Sequence, residues 1–155
     1  MNKIIKNILS VLGVTIFGYI LLNVTFIFDT IYQGIIRGII GLFTPLDPNM
    51  NLYWFPPVIH SSFVIIIGLI SWFVFRSKLK VLYKAIYMTV PVAVVLVTVG
   101  IFLYQWPIIS YSLGTLLCLG TLYYFYKTKQ PWLYYYAVVL VGITLAIFTA
   151  TGGEI

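Results

Sequence analysis

The sequence predicts an all-α membrane protein: a five-helix transmembrane bundle, N-terminus inside and C-terminus outside, with one added interfacial helix. Three observations carry this. Hydrophobic residues make up 62% of the 155-residue chain and charged residues only 8%, against about a quarter charged in ordinary soluble domains. The apolar residues gather in five stretches, each close to the roughly 20 residues needed to cross a hydrocarbon core about 30 Å thick. Eight of the nine basic residues (Lys3, Lys6, Arg76, Lys78, Lys80, Lys84, Lys127, Lys129) fall at one set of stretch ends, whereas Asp29, Asp47, Glu154 and Arg37 fall at the other. Lys and Arg near span ends are retained on the cytoplasmic side, which sets the expected orientation.

The whole chain reads as a single polytopic domain, with spans at about 4–28, 58–75, 85–103, 107–126 and 131–150. The first stretch follows Lys3 and Lys6 as a signal peptide would. It is longer than a typical signal core and no small-x-small site follows, so it is expected to be a retained span. It is expected to end at Asp29. Thr30 and Gln33 match a capping box, which predicts a new helix over about 31–43 that Pro45 stops. At 1.5 Å per residue such a helix spans only about 20 Å, so it is expected to be interfacial. Its isoleucines group on one half of the helical wheel, with Gln33, Gly34, Arg37, Gly38 and Gly41 on the other.

Residues 44–57 hold four of the seven prolines and no helical period, which reads as an outer loop; Tyr53, Trp54 and Phe55 suit the headgroup level. The second span carries His60, Ser61 and Ser62 at its entry. In the third span Pro91 removes a backbone donor and predicts a kink. The short turn Tyr104-Gln-Trp-Pro107 makes spans three and four antiparallel neighbours, with Pro107 in the first turn of the fourth helix. Pro131 opens the fifth span. Small residues recur at four-residue spacing at Ser110, Gly114 and Cys118, and at Gly142, Ala146 and Ala150. Such stripes let helices approach closely in lipid, either with each other or with a membrane-protein partner or second copy.

Several functions are disfavoured by composition. The net charge of +6 is accounted for by the orientation rule and by attraction to anionic headgroups, so nucleic acid is not an expected partner. One histidine cannot supply a His-x-x-x-His zinc motif or a bis-His haem within one subunit, and Cys118 alone makes no redox pair. No metal, cofactor or catalytic residue is therefore assigned. The spans read as lacking ionisable groups at depth, which argues against proton-coupled carriers. Abundant Ile and Tyr with scarce Ala point to AT-rich coding DNA and a bacterial or archaeal cell membrane.

The remaining polar residues lie at outer span ends. Asp29, Gly34, Arg37, Gly38, Trp54, His60, Tyr104 and Trp106 are the candidate ligand-binding set: a guanidinium beside a glycine groove can clasp a phosphate or carboxylate, and a histidine near a carboxylate can serve as a base. The plainer reading is that His60 sits in the polar interface and Arg37 snorkels or pairs with Asp29. At Trp54-Phe-Pro-Pro57 the chain resembles the translocator proteins, which share its size, five spans and a long first loop carrying Trp-x-Pro-Pro. That likeness implies a porphyrin or sterol-like ligand under the outer loop. The family's further tryptophans and polar second span are missing here, where Phe63-Val-Ile-Ile-Ile67 stands instead.

The expected function is thus that of a small integral membrane protein without a catalytic domain, an accessory, regulatory or immunity-type subunit acting through helix contacts and its outer face. The alternatives are binding or transport of a lipid or amphipathic small molecule at an outward-facing site, and an enzyme acting on lipid headgroups with His60 as base and Asp29 or Asp47 as orienter.

Overall fold

The computed structural model describes residues 3–43 and 55–151. Among them the chain forms five helices: α1 (Lys3–Phe43), α2 (Phe55–Arg76), α3 (Val81–Phe102), α4 (Pro107–Lys127) and α5 (Trp132–Ala150). All five are long and apolar enough to cross a membrane. Large side chains such as Ile16, Ile65, Leu116 and Ile143 are more than half exposed on the bundle surface. In water that surface would be untenable, whereas lipid is its natural solvent, and the chain has the build of a multi-pass membrane protein.

The first correction concerns α1. No break occurs at Asp29; the helix runs unbroken for 41 residues, about 60 Å, so residues 31–43 are its distal turns and not a separate interfacial helix. The residues that resembled a capping box are satisfied inside the helix. The Thr30 hydroxyl donates to Phe26 O at 3.1 Å, and Gln33 Nε2 donates to Asp29 Oδ2 at 3.0 Å. Between Phe28 and Phe43 no proline interrupts the backbone, and the inward stripe continues without a phase change through Val14, Gly18, Thr25 and Asp29 to the half-buried Tyr32, Ile36 and Ile40.

At the centre stands α3, which touches each of the other four helices. Its buried face, Ala85, Met88, Thr89, Val90, Ala93, Val94 and Val97, consists mostly of small or β-branched side chains that admit close neighbours. A Cβ placed on Gly18 would stand 2.9 Å from Thr89 Cγ2, and one on Gly13 would stand 3.8 Å from Leu82 Cδ1. These pairings advance together along both chains, so α1 and α3 run parallel. The helix continues through Pro91 to Phe102.

Peripheral α4 packs through the stripe read from sequence. Ser110, Gly114 and Cys118 are its half-buried positions in the first three turns; Gly114 meets Leu96 of α3 and Cys118 Sγ lies 3.6 Å from a Cβ placed on Gly142 of α5. Of the fifth-helix stripe, Ala146 is exposed. Hydroxyl pairs tie further helices: Thr15 to Tyr136 at 2.7 Å and Ser71 to Tyr87 at 3.2 Å.

With α1, α3 and α5 running one way and α2 and α4 the other, one end of the bundle gathers Lys3, Lys6, Arg76, Lys78, Lys80, Lys84, Lys127 and Lys129. Here the cations also serve local structure. Lys84 Nζ donates to Phe75 O at 2.7 Å, closing the C-terminus of α2, and the Arg76 guanidinium stacks 4.3 Å from the Trp72 ring centroid. At the end of α4, Gln130 N donates to Phe125 O and Lys129 N to Tyr126 O. These are the paired bonds of a Schellman turn, with Lys129 at φ 52° in the left-handed position.

Candidate functional site

The opposite, far end of the bundle holds a buried polar junction of three helices. Asp29 arrives on the inward stripe of α1 because it lies four residues beyond Thr25 and eleven beyond Gly18, which keeps it on the same face at 3.6 residues per turn. His60 stands near the start of α2 and Thr98 one turn before the end of α3. His60 Nδ1 lies 3.2 Å from Asp29 Oδ2, and His60 Nε2 lies 3.1 Å from Thr98 Oγ1. Gln33 Nε2 donates to the same Asp29 oxygen at 3.0 Å. Beside them the Tyr32 and Ser62 hydroxyls pair at 2.8 Å, and Phe63 lies against both the Tyr32 and His60 rings.

From sequence the spans read as lacking ionisable groups at depth; the structure places two, His60 and Asp29, inside the bundle near its far end. His60 is only 3% exposed and Asp29 8%. The axial distances are about 24 Å from Arg76 to His60 along α2 and about 21 Å from Lys84 to Thr98 along α3. For a core about 30 Å thick that begins at the basic side chains, those distances put the junction nearer the far boundary than the centre, roughly a turn inside the helix ends. An isolated charge there is costly, and pairing is what makes it tolerable.

Hydrogen-bond accounting defines what the junction holds. The Thr98 hydroxyl donates to Val94 O, so in that arrangement Nε2 must be the donor to Thr98. The Nδ1 contact to Asp29 then needs a second proton, carried by the imidazole as an imidazolium or by the carboxyl. Alternatively the Thr98 hydroxyl turns to Nε2 and a neutral imidazole donates through Nδ1 to the carboxylate. The two inventories differ by one proton. In both, Oδ2 is engaged, while Asp29 Oδ1 has no hydrogen-bond partner among the described residues.

Carboxylate, imidazole and hydroxyl in series form the constellation used for nucleophilic catalysis. Here it is closed. Nε2, where a base would act, faces Thr98, and that hydroxyl is itself bonded to its own helix. The arrangement joins α1, α2 and α3 through the side chains of Asp29, His60 and Thr98.

Of the candidate set, the structure brings together Asp29 and His60. Arg37 is exposed, and no described residue forms an ion pair with it. Gly34 and Gly38 have no atom within 4 Å of a Cβ placed on them, so their groove faces away from the bundle. Tyr104 and Trp106 are 70% and 59% exposed in the turn between α3 and α4, where the Tyr104 hydroxyl accepts from Gln105. Trp54 and Asp47 lie outside the described residues, as does most of the loop that carries the likeness to translocator proteins.

Thr98 and Gln33 were missed as members of the junction. The signal for Thr98 was distance: counted from the basic ends, it lies at nearly the same height as His60, and a hydroxyl at the height of a histidine on an adjacent span is a candidate partner. A separate cavity of about 590 Å³ lies near the basic end, between α3, α4 and α5.

Comparison of the chain with protein-family models, curated proteins and solved structures gave no match.

Proposed function

We propose that this is a non-enzymatic integral membrane protein of accessory or regulatory type, oriented with its basic end in the cytoplasm, which acts by presenting apolar helix surfaces to another membrane component. One observation carries the reading: the residues best suited to chemistry are spent on bonds between helices, with Asp29 and His60 buried, while large surfaces left free are apolar. Distal α1 runs past its meeting with α2, with Ile35, Ile39, Leu42 and Phe43 exposed, Leu42 and Phe43 each to 84%. Along α4, Leu113, Leu116, Leu119 and Tyr123 face outward. The junction in this reading is a clamp that fixes α1, α2 and α3 so that the distal arm of α1 is held rigid.

The test is site-specific photo-crosslinking in native membranes from positions 39 and 116, with position 65 on α2 as comparison. The reading predicts a discrete protein adduct at 39 or 116, identified by mass spectrometry, that is lost when His60→Ala loosens the arm. Lipid adducts alone at all three positions, together with a purified protein that is monomeric and partnerless, would overturn it.

A further inference from the structure

The cavity near the basic end lies towards the opposite end of the bundle from the described residues of the candidate set. Its volume, about 590 Å³, falls within the range of small-molecule sites. It exists because α4 is held to its neighbours at two separate places. The Gly114–Leu96 and Cys118–Gly142 contacts fix its first half, and the rings of Phe125 and Tyr134, 5.9 Å apart, fix its last turns. Between them the helices part.

The lining is apolar along its length and polar at one end. Pro91, Val95 and Leu117 represent the apolar part, whereas Lys84, Tyr124 and Gln130 sit towards the basic end. Val95, Leu117 and Tyr124 remain 42%, 36% and 60% exposed, so the cavity communicates with the surrounding lipid between α3 and α4. From Lys84 to Val95 it extends about 16 Å along α3, close to half of a core about 30 Å thick: the depth of one leaflet. Lys84 is half-buried and gives one bond to Phe75 O. An ammonium has three donors, and no described carboxylate pairs with it.

We infer that this groove binds one acyl chain of an anionic phospholipid from the leaflet at the basic end, with Lys84 meeting its phosphate. The occupant follows from the shape and charge together. A leaflet-deep apolar slot open to hydrocarbon takes a chain, and a half-buried cation at its head, among the other lysines of that end, selects a negative headgroup. A sterol-like ligand would leave the cation unused, and a soluble anion would leave the slot unused.

Native mass spectrometry of the full chain, released from detergent with defined lipids, tests this directly. The probes are phosphatidylglycerol and phosphatidylcholine with identical chains. Wild type is expected to retain one phosphatidylglycerol, preferred over phosphatidylcholine about fivefold, the scale of one lysine near a membrane surface. Lys84→Gln should lose the preference, Lys84→Arg should keep it, and Lys78→Gln, outside the lining, should leave it unchanged. Because Lys84 also closes α2, a merely structural role would lower stability in Lys84→Gln without changing the ratio of the two lipids. Val95→Trp, which fills the open side, should abolish retention of both lipids. Equal binding of the two lipids by wild type, an unaltered ratio in Lys84→Gln, or a Val95→Trp protein that still retains its lipid would each overturn the inference. So would displacement of phosphatidylglycerol by inorganic phosphate, which would assign the site to the headgroup alone.

Discussion

The two ends of α3 hold their neighbours by different means. At the far end Thr98 joins His60 and, through it, Asp29, in a junction whose imidazole and carboxylate are buried. At the basic end aromatic rings and single hydroxyl pairs hold the helices, and a leaflet-deep cavity separates α3 from α4. The contrast reflects the solvent. Lipid tails are as apolar as leucine, so apolar contact alone gives helices little preference for one another. A buried ionisable pair is different, because parting its members strands each in hydrocarbon. The far end is therefore expected to tolerate no separation, and the basic end to tolerate a guest.

The largest effect should come from breaking the junction. His60→Ala leaves the Asp29 carboxyl buried with Gln33 as its only described partner, and removing one member of a buried pair costs about 3–5 kcal/mol. Replacing both, Asp29→Leu with His60→Leu, removes the stranded group and should recover most of that loss. Equilibrium unfolding in mixed micelles of sodium dodecyl sulfate and a mild detergent measures both. A single-mutant cost below about 1 kcal/mol, the level of an ordinary hydrogen bond between membrane helices, would reduce the junction to a passive contact and erase the proposed difference between the ends.

That pair also shows how far the sequence was legible. Five helices and the gathering of basic residues at one end follow from apolar run length and charge position, because both are summed over many residues and no single one decides them. Asp29 and His60 were legible as neighbours in height, since each lies near the same end of its run. The break placed at Asp29 was not, because Thr30 and Gln33 can serve a helix start or sit within a helix, and only the neighbours α1 packs against select between the two. Thr98 was hidden for a related reason: a threonine bonded to its own helix is common in spans, and its sequence does not say what lies across from it. The cavity had no sequence signal, since it is defined by where α4 stands away from α3.

Between the two ends, the crossing of α1 over α3 sets how close the helices come. Gly18→Val puts a branched side chain where even a Cβ stands 2.9 Å from Thr89 Cγ2. Thr89 cannot easily yield, because it is 1% exposed and its hydroxyl donates to Ile86 O. Overpacking of this kind costs about 1–3 kcal/mol, and pairing it with Thr89→Ala should return part of it. Gly142→Ala is the counterpart where α5 meets the loosely held α4: its Cβ would meet Cys118 Sγ at 3.6 Å, an ordinary contact, and alanine is favoured over glycine inside a helix by about 0.5–1 kcal/mol, so it should not destabilise. A cost at Gly142 as large as that of Gly18→Val would mean that α4 is packed against α5 as tightly as α1 is against α3.

The smallest effect is a gain in stability at the basic end. Lys129 occupies the left-handed position of the turn after α4, at φ 52°, where a side chain with a Cβ is strained by about 1–2 kcal/mol and glycine is not. Lys129→Gly relieves that strain and keeps both turn bonds, to Phe125 O and Tyr126 O, while the greater freedom of glycine in the unfolded chain takes back part of the gain. The loss of a cation beside the carbonyl end of α4 takes back a little more, about 0.3–1 kcal/mol at an exposed site. The net expectation is a stabilisation of about 0.5 kcal/mol in the same micelle unfolding measurement. Lys129→Ala separates the contributions, since it loses the charge but keeps the strained Cβ, and should fall below wild type. If the glycine variant also falls below wild type, the charge outweighs the backbone strain, and the basic end is held by its cations more than by its turns.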